Sequence, residues 1–196
     1  MGHALVASIL PAADPVHKVS IISRGHAAGY TLKLPLEDKK LQSRQEFLAD
    51  IAVSLGGYAA EQMIFGDITT GTANDLTVAT ALARDMVTKY GMSEKFGPIA
   101  IESASRKWFW GQPGGEATVS ESVAALVDAE VSRQMKEALR SAREILTKHR
   151  PALDHMATEL IKVETLDRAD FEKLLVLNGT SPKETPPAAD SPAEAD

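Results

Sequence analysis

The segment from Ser43 to Gly66 limits the fold more than any other part of the chain. Ser43-Arg44-Gln45-Glu46 has the pattern of a capping box, in which the serine accepts from the third amide of a helix and the glutamate reaches back. Apolar residues then recur at helical spacing, at Phe47, Ile51 and Leu55. The pattern predicts a helix that runs to Ile64 and stops at Gly66.

The same start and stop signals predict further helices and two short strands. An apolar stripe predicts a helix over about 75–90, and it comprises Leu76, Ala79, Leu82, Ala83, Met86 and Val87. Other helices are predicted at 3–10, at 118–149, from Pro151 to Leu160, and after a cap at Asp167. Residues 16–23 and 29–34 are typical of strands, because β-branched and aromatic residues are frequent there.

These elements predict a mainly α fold with a small β element near the amino terminus. We assign the domain to residues 1–177. From Asn178 onward the chain consists mostly of Pro, Ala, Ser, Asp and Glu, with few bulky apolar residues. Residues 178–196 are therefore predicted to form a disordered, acidic and proline-rich tail.

Composition excludes several kinds of function. The chain has 196 residues, a formal net charge of −6 and no cysteine. The acidic balance argues against a nucleic-acid partner, and the lack of cysteine excludes disulfides and thiolate metal sites. No P-loop, membrane-spanning run or secretory leader is recognisable, so we expect a soluble, cytoplasmic chain.

A metal site is indicated at the start of the chain. Met1-Gly2-His3-Ala4-Leu5-Val6 is typical of the end of a helical zinc motif, His-Glu-x-x-His. In that motif two histidines on one helix bind a single metal, and the glutamate is the general base. His3 fits the second histidine, which puts the first histidine at position −1 and the glutamate at position 0 of this numbering.

Two acidic residues further along the chain are candidates for the same site. Asp75 closes a polar loop and opens a predicted helix, so its carboxylate is either an N-cap or a group that faces a cleft. Glu61 follows Gly56-Gly57 on a helix whose small residues allow close backbone approach. It is either a solvated helix charge or a residue that orients a metal-bound imidazole.

Several collinear segments resemble the peptidase domain of the FtsH family of membrane-bound, ATP-dependent zinc metalloproteases. They are GHALV at 2–6, DPVHKVSIISRG at 14–25, GYTLKLP at 29–35, LGGYAAEQMIFGD at 55–67, TTGTANDLTVATALARDMVTKYGMSEKFGP at 69–98 and HRPALDHMATELIKVETLD at 149–167. The resemblance covers residues 2–176. Tyr58 and Gln62 depart from it, since the family usually has an arginine and a second glutamate there.

The resemblance implies a zinc site and a substrate-binding strand. The family's metal ligands are the two motif histidines and a downstream aspartate, and His3 and Asp75 match the second histidine and that aspartate. Glu61 matches an acidic residue of the family's Gly-Gly helix. The resemblance implies that it at most supports a metal ligand and does not bind the metal itself. The strand at Gly29-Tyr30-Thr31 matches one that borders the active cleft, where an extended peptide could add through backbone hydrogen bonds.

The resemblance further implies hydrolysis of peptide bonds in membrane and misfolded proteins by a hexamer at the cytoplasmic face of a membrane. ATP is used there by a separate ATPase module that precedes the peptidase domain, and membrane segments also lie on that side. Because a catalytic zinc needs three protein ligands and a base, we expect the 196-residue polypeptide alone to bind zinc weakly and to show negligible peptidase activity. Two alternatives remain open, namely a non-catalytic helical interaction subunit of a protease ring and a helical scaffold without a working metal site.

Overall fold

The computed structural model describes residues 1–22, 29–33, 41–101 and 119–183, and these contain six α-helices, one 3-10 helix and three strands. The α-helices are α1 (Gly2–Ile9), α2 (Arg44–Phe65), α3 (Ala73–Thr88), α4 (Glu121–Lys148), α5 (Arg150–Val163) and α6 (Arg168–Leu177). The 3-10 helix covers Thr70–Thr72, and the strands are β1 (Val16–Ser20), β2 (Tyr30–Lys33) and β3 (Thr165–Asp167). The predicted mainly α fold with a small β element is confirmed.

Helix α2 is the centre of the domain, and its ends confirm the sequence prediction. The Ser43 hydroxyl accepts from the amide of Glu46, whose carboxylate accepts from the Ser43 amide at 2.7 Å. At the other end Gly66 has a φ of 69°, a left-handed conformation that glycine adopts without strain. Helices α1, α3 and α4 all pack against α2, so its placement determines theirs.

Helix α1 is short but enclosed. Ala4, Leu5, Val6 and Ala7 have no exposed surface, and burial of a Leu or Val side chain stabilises a fold by about 1.5–3 kcal/mol. The helix approaches α2 through glycine, since a Cβ on Gly2 would lie 2.3 Å from the Gly56 carbonyl oxygen. A helix of eight residues is marginal by itself, so its position depends on this packing.

The three strands form one antiparallel sheet in the order β2-β1-β3. Strands β1 and β2 confirm the two predicted strands in the described ranges, while residues 23–28 and 34–40 lie outside them. Strand β3 was not predicted, because three residues give no alternation to recognise and pairing with β1 is what makes them a strand. Strand β2 lies at an edge of this sheet, as far as the described ranges show.

Helix α4 carries a carboxylate that is buried in the domain. It begins at Glu121 after a cap by Ser120, near the start predicted at 118. Glu130 is 2% exposed and accepts from Arg133 at 2.8 and 2.7 Å and from the Ser93 hydroxyl at 3.1 Å. The hydrogen bond from Arg133, helped by that from Ser93, lowers the pKa of Glu130 to about 2. The network ties α4 to the turn that follows α3.

The carboxyl-terminal helices begin where the sequence predicts. A proline lies in the first turn of α5, and the Asp167 carboxylate accepts from the Asp170 amide at 2.9 Å at the start of α6. Packing continues beyond α6, because Thr180 is buried and the Lys183 ammonium donates to the Leu10 carbonyl at 2.6 Å. The rest of the predicted tail, residues 184–196, lies outside the described ranges. Among the helices that are described, none combines the length and the apolar character needed to cross a bilayer.

Candidate metal centre

His3 lies on α1 with its ring against α2. Its Nδ1 is 2.8 Å from the carbonyl oxygen of Val53. A carbonyl oxygen only accepts, so Nδ1 carries the hydrogen and donates it. In the neutral ring Nε2 then presents a lone pair, which is the form of imidazole that binds a metal.

Asp75 brings its carboxylate to that lone pair from the start of α3. Thr72 occupies the N-cap position and Asp75 is the third residue of the helix, so the interpretation of Asp75 as the cap is wrong. Asp75 Oδ2 is 3.2 Å from His3 Nε2, and the two side chains are 33% and 29% exposed. Because a carboxylate oxygen and an unprotonated ring nitrogen both carry lone pairs, they approach this closely only with a cation or a proton between them.

The separation of these two atoms fits a shared zinc ion. Zinc bonds of about 2.0–2.1 Å that meet at a tetrahedral angle place two donors about 3.3 Å apart. The observed distance is 3.2 Å, and one imidazole with one carboxylate suits two of the three protein ligands of a catalytic site. Within the described residues no group of three or more His, Cys, Asp or Glu side chains is arranged to hold a metal.

Gly57 makes room for the metal-binding edge of the ring. A Cβ at this position would lie 2.4 Å from His3 Nε2 and 2.7 Å from Cε1. No side-chain carbon is tolerated at such distances, so the ring can lie here only over a glycine. The sequence indicated close backbone approach at the Gly56-Gly57 pair, but the approaching group, an imidazole from α1, follows only from the way in which the two helices cross.

Glu61 contacts the loop that leads to Asp75. Its carboxylate accepts from the Thr69 amide at 2.9 Å and from the Thr69 hydroxyl at 3.1 and 3.3 Å. The sequence offered Glu61 as a residue that orients a metal-bound imidazole. In the structure the hydrogen-bond partner of His3 Nδ1 is the Val53 carbonyl.

Sequence reasoning missed two groups that surround the site, Val53 and Thr69. Val53 contributes a backbone carbonyl, so its side-chain type carries no signal. Thr69 is one of three threonines in Thr69-Thr70-Gly71-Thr72, and nothing in the sequence distinguishes them. A polar loop next to a candidate ligand is the signal that could have directed attention to this segment.

The predicted substrate strand lies in the small sheet. Tyr30 pairs with Ser20 and Thr31 pairs with Val19, so both belong to the edge strand β2. Gly29 passes close to β1, since a Cβ there would lie 2.7 Å from the Ser20 carbonyl oxygen. Within the described ranges β2 is the outer strand of the sheet, and its role in peptide pairing stays a prediction.

Known proteins are similar to this chain over most of its length. The profile of Peptidase family M41 matches residues 1–174. The ATP-dependent zinc metalloprotease FtsH 1 of Conexibacter woesei is 46% identical over 176 residues, which cover 89% of this chain and 27% of that protein. The ATP-dependent zinc metalloprotease FtsH of Rubrobacter xylanophilus is 43% identical over 175 residues, with coverage of 89% and 27%.

A third relative gives the same result. The ATP-dependent zinc metalloprotease FtsH 1 of Thermomicrobium roseum is 45% identical over 174 residues, which cover 88% of this chain and 27% of that protein. The present chain thus spans 27% of the length of each of these three relatives. The chain therefore belongs to peptidase family M41, and it is similar over most of its own length to part of the FtsH proteins.

Proposed function

We propose that this chain is the zinc endopeptidase domain of an FtsH-type protease that degrades membrane and misfolded proteins. The observation that carries the proposal is the approach of Asp75 Oδ2 to within 3.2 Å of His3 Nε2, at the lone pair that the Val53 contact leaves on the ring. Membership of peptidase family M41 supports the same chemistry.

The residues of the site have separate tasks in this reaction. When bound, zinc polarises the substrate carbonyl and activates a water molecule for attack. His3 and Asp75 would hold the metal, and the Val53 carbonyl fixes the tautomer and the direction of the His3 ring. Because about a third of each ligand side chain is exposed, the site is accessible to a peptide. The third ligand is the first histidine of the motif and the general base is its glutamate, at positions −1 and 0 of this chain's numbering.

The edge of β2 is proposed to bind the substrate backbone. A peptide that adds to this edge is held by main-chain hydrogen bonds, which select no particular sequence and therefore suit a protease for unfolded chains.

Replacement of Thr31 by proline is expected to weaken substrate binding without loss of zinc. Proline removes a backbone donor from the strand and restricts its conformation, whereas Thr31→Val keeps the backbone intact and serves as the control. In a chain with the complete motif, KM for an unfolded substrate should rise at least ~10-fold in the proline variant, the equivalent of one or two lost hydrogen bonds. Loss of bound zinc in Thr31→Pro, or equal KM values for the two variants, would refute the assignment.

The assembly and its energy source are also proposals. We infer a homo-hexamer in which peptidase domains form a ring, with α4 as a candidate for packing between subunits. ATP would be used by a separate ATPase module, and the location would be the cytoplasmic face of a membrane. The relatives from Conexibacter woesei and Rubrobacter xylanophilus are ATP-dependent zinc metalloproteases, which supports the use of ATP. The net charge of −6 argues against nucleic acid as a partner.

Completion of the motif is expected to create zinc-dependent proteolysis. The test compares the 196-residue polypeptide with the same chain extended at its amino terminus by His-Glu, which gives His-Glu-Met1-Gly2-His3. The extended chain should bind stoichiometric zinc by mass spectrometry and cleave casein. The shorter polypeptide should be slower by at least ~10²-fold, the lower range of general acid–base catalysis, because it also lacks a ligand.

Asp75→Asn in the extended chain is the control and should remove both zinc and cleavage. An extended chain that holds zinc and cleaves nothing would contradict the peptidase assignment and favour the non-catalytic ring subunit. Retention of full cleavage by Asp75→Asn would contradict the ligand assignment.

A further inference from the structure

We propose that Glu61 and Thr69 form a clamp that positions Asp75 for the metal. The inference rests on the proposed zinc site and assigns it two positioning residues, neither of which touches the metal. The pair is called the Glu61–Thr69 clamp below.

The clamp arises from a face of α2 that also contacts His3. Val53, Gly57 and Glu61 are spaced four residues apart and therefore lie on one side of the helix. The first supplies the carbonyl that orients the His3 ring, and the second supplies the surface on which the ring rests. The third holds the loop before α3. One rigid helix face thus serves both sides of the site.

Thr69 attaches the loop before α3 to Glu61. Thr69 offers two donors to the Glu61 carboxylate, its amide at 2.9 Å and its hydroxyl at 3.1 Å. The same hydroxyl accepts from the Gly71 amide at 3.2 Å, and the Thr69 carbonyl accepts from the Thr72 hydroxyl at 3.2 Å. Thr69 therefore closes the turn of Thr70–Thr72 and attaches it to α2. Because α3 follows this turn directly, the clamp sets where its first residues lie.

The position of Asp75 depends on this loop. Asp75 is the third residue of α3 and its Oδ2 lies 3.2 Å from His3 Nε2, so a shift of the first turn of α3 moves this ligand away from the ring. Hydrogen bonds to a charged carboxylate are the stronger kind, so Glu61 can hold the loop that precedes Asp75. A loop held in this way keeps Asp75 near its binding position before the metal arrives. Contacts that orient a metal ligand typically contribute about 10–100-fold in affinity.

The clamp is tested in the chain extended by His-Glu, which serves as wild type here. Its zinc affinity is measured by competition with a chromophoric chelator. Thr69→Val keeps the shape but removes the hydroxyl, and Thr69→Ser restores it. We expect the zinc dissociation constant to rise at least ~10-fold in Thr69→Val and to stay within ~2-fold of wild type in Thr69→Ser. Glu61→Gln, which removes the charge, should also weaken binding.

Thr77→Val is the matched control. Its hydroxyl donates to the Ala73 carbonyl one turn earlier in the same helix, at 2.9 Å, and takes no part in the clamp. Its zinc affinity should equal that of wild type. Hydrogen exchange of the amides of residues 69–76 in the metal-free protein is the second readout. Exchange should be faster in Thr69→Val and Glu61→Gln than in wild type and Thr77→Val.

The outcomes separate the clamp from the proposed function. The wild-type chain is first shown to bind zinc through His3 and Asp75. Unchanged zinc affinity in Thr69→Val then overturns the clamp and leaves the peptidase assignment intact. Faster exchange with unchanged affinity makes Thr69 a fold contact and overturns the clamp as well. An extended chain without these substitutions that binds no zinc overturns the proposed function together with the clamp.

Discussion

Gly57→Ala is expected to remove zinc binding, although it adds only a methyl group. The new Cβ would lie 2.4 Å from His3 Nε2, whereas carbon atoms in contact stand about 3.5–4.0 Å from their neighbours. The ring must therefore rotate or α1 must move away, and both displace the nitrogen lone pair from Asp75. Displacement of a ligand should cost more than loss of a contact that merely orients one, so we expect the zinc dissociation constant to rise at least ~100-fold.

Stability measurements separate this effect from general damage to the fold. Alanine is favoured over glycine in a helix interior by about 0.5–1 kcal/mol, so helix propensity alone would make α2 more stable in Gly57→Ala. Zinc affinity is therefore compared between Gly57→Ala and wild type by titration, and the stability of the two metal-free chains is compared by thermal unfolding. Near wild-type zinc affinity in Gly57→Ala would mean that the His3 ring does not bind metal from its position over Gly57.

Arg133→Ala is expected to lower the free energy of unfolding by about 3 kcal/mol at neutral pH, because it leaves the buried carboxylate of Glu130 without its main partner. In wild type two guanidinium nitrogens donate to that carboxylate at 2.8 and 2.7 Å. The value is taken at the lower end of the range for broken buried pairs, since 41% of the arginine side chain is exposed to solvent.

Arg140→Ala is the control on the same helix. Arg140 lies 4.0 Å from Glu144, and both side chains are about 70% exposed, at 71% and 72%. Such pairs contribute about 0.3–0.5 kcal/mol, so urea unfolding should be nearly unchanged. If Arg133→Ala lowers the free energy of unfolding no more than Arg140→Ala does, the buried network does not stabilise the fold as proposed.

The effect of Arg133→Ala should depend on pH in a defined direction. The hydrogen bonds from Arg133 lower the folded-state pKa of Glu130 to about 2, from an ordinary value of 4.5. A lowered carboxyl pKa stabilises the folded state above the unfolded-state value, and this stabilisation is lost as the pH falls towards the folded-state value. The difference in free energy of unfolding between wild type and Arg133→Ala should therefore reach its maximum above pH 4.5 and decrease towards pH 2. A difference that stays constant in urea titrations across this range would rule out Glu130 as its source.

The sequence alone determined the helices because their signals are local. The capping box at Ser43, the left-handed glycine at Gly66 and the cap at Asp167 each act within about one turn of the residue that carries them. The apolar stripe of α3 is equally local, and its buried members Ala79, Ala83, Met86 and Val87 were all predicted. The three-residue strand β3 could not be predicted in this way, because its pairing partner β1 is remote in the chain.

The candidate ligands His3 and Asp75 came from a motif and a resemblance, but only the tertiary structure decided that they meet. Their 3.2 Å approach depends on the crossing of α1 over the glycines of α2 and on the loop that Glu61 attaches to the same helix. Helix packing and the hydrogen bonds of a backbone carbonyl act between residues far apart in sequence, and no local pattern encodes them. The sequence therefore identified the candidate metal ligands, and the packing around α2 determined their geometry.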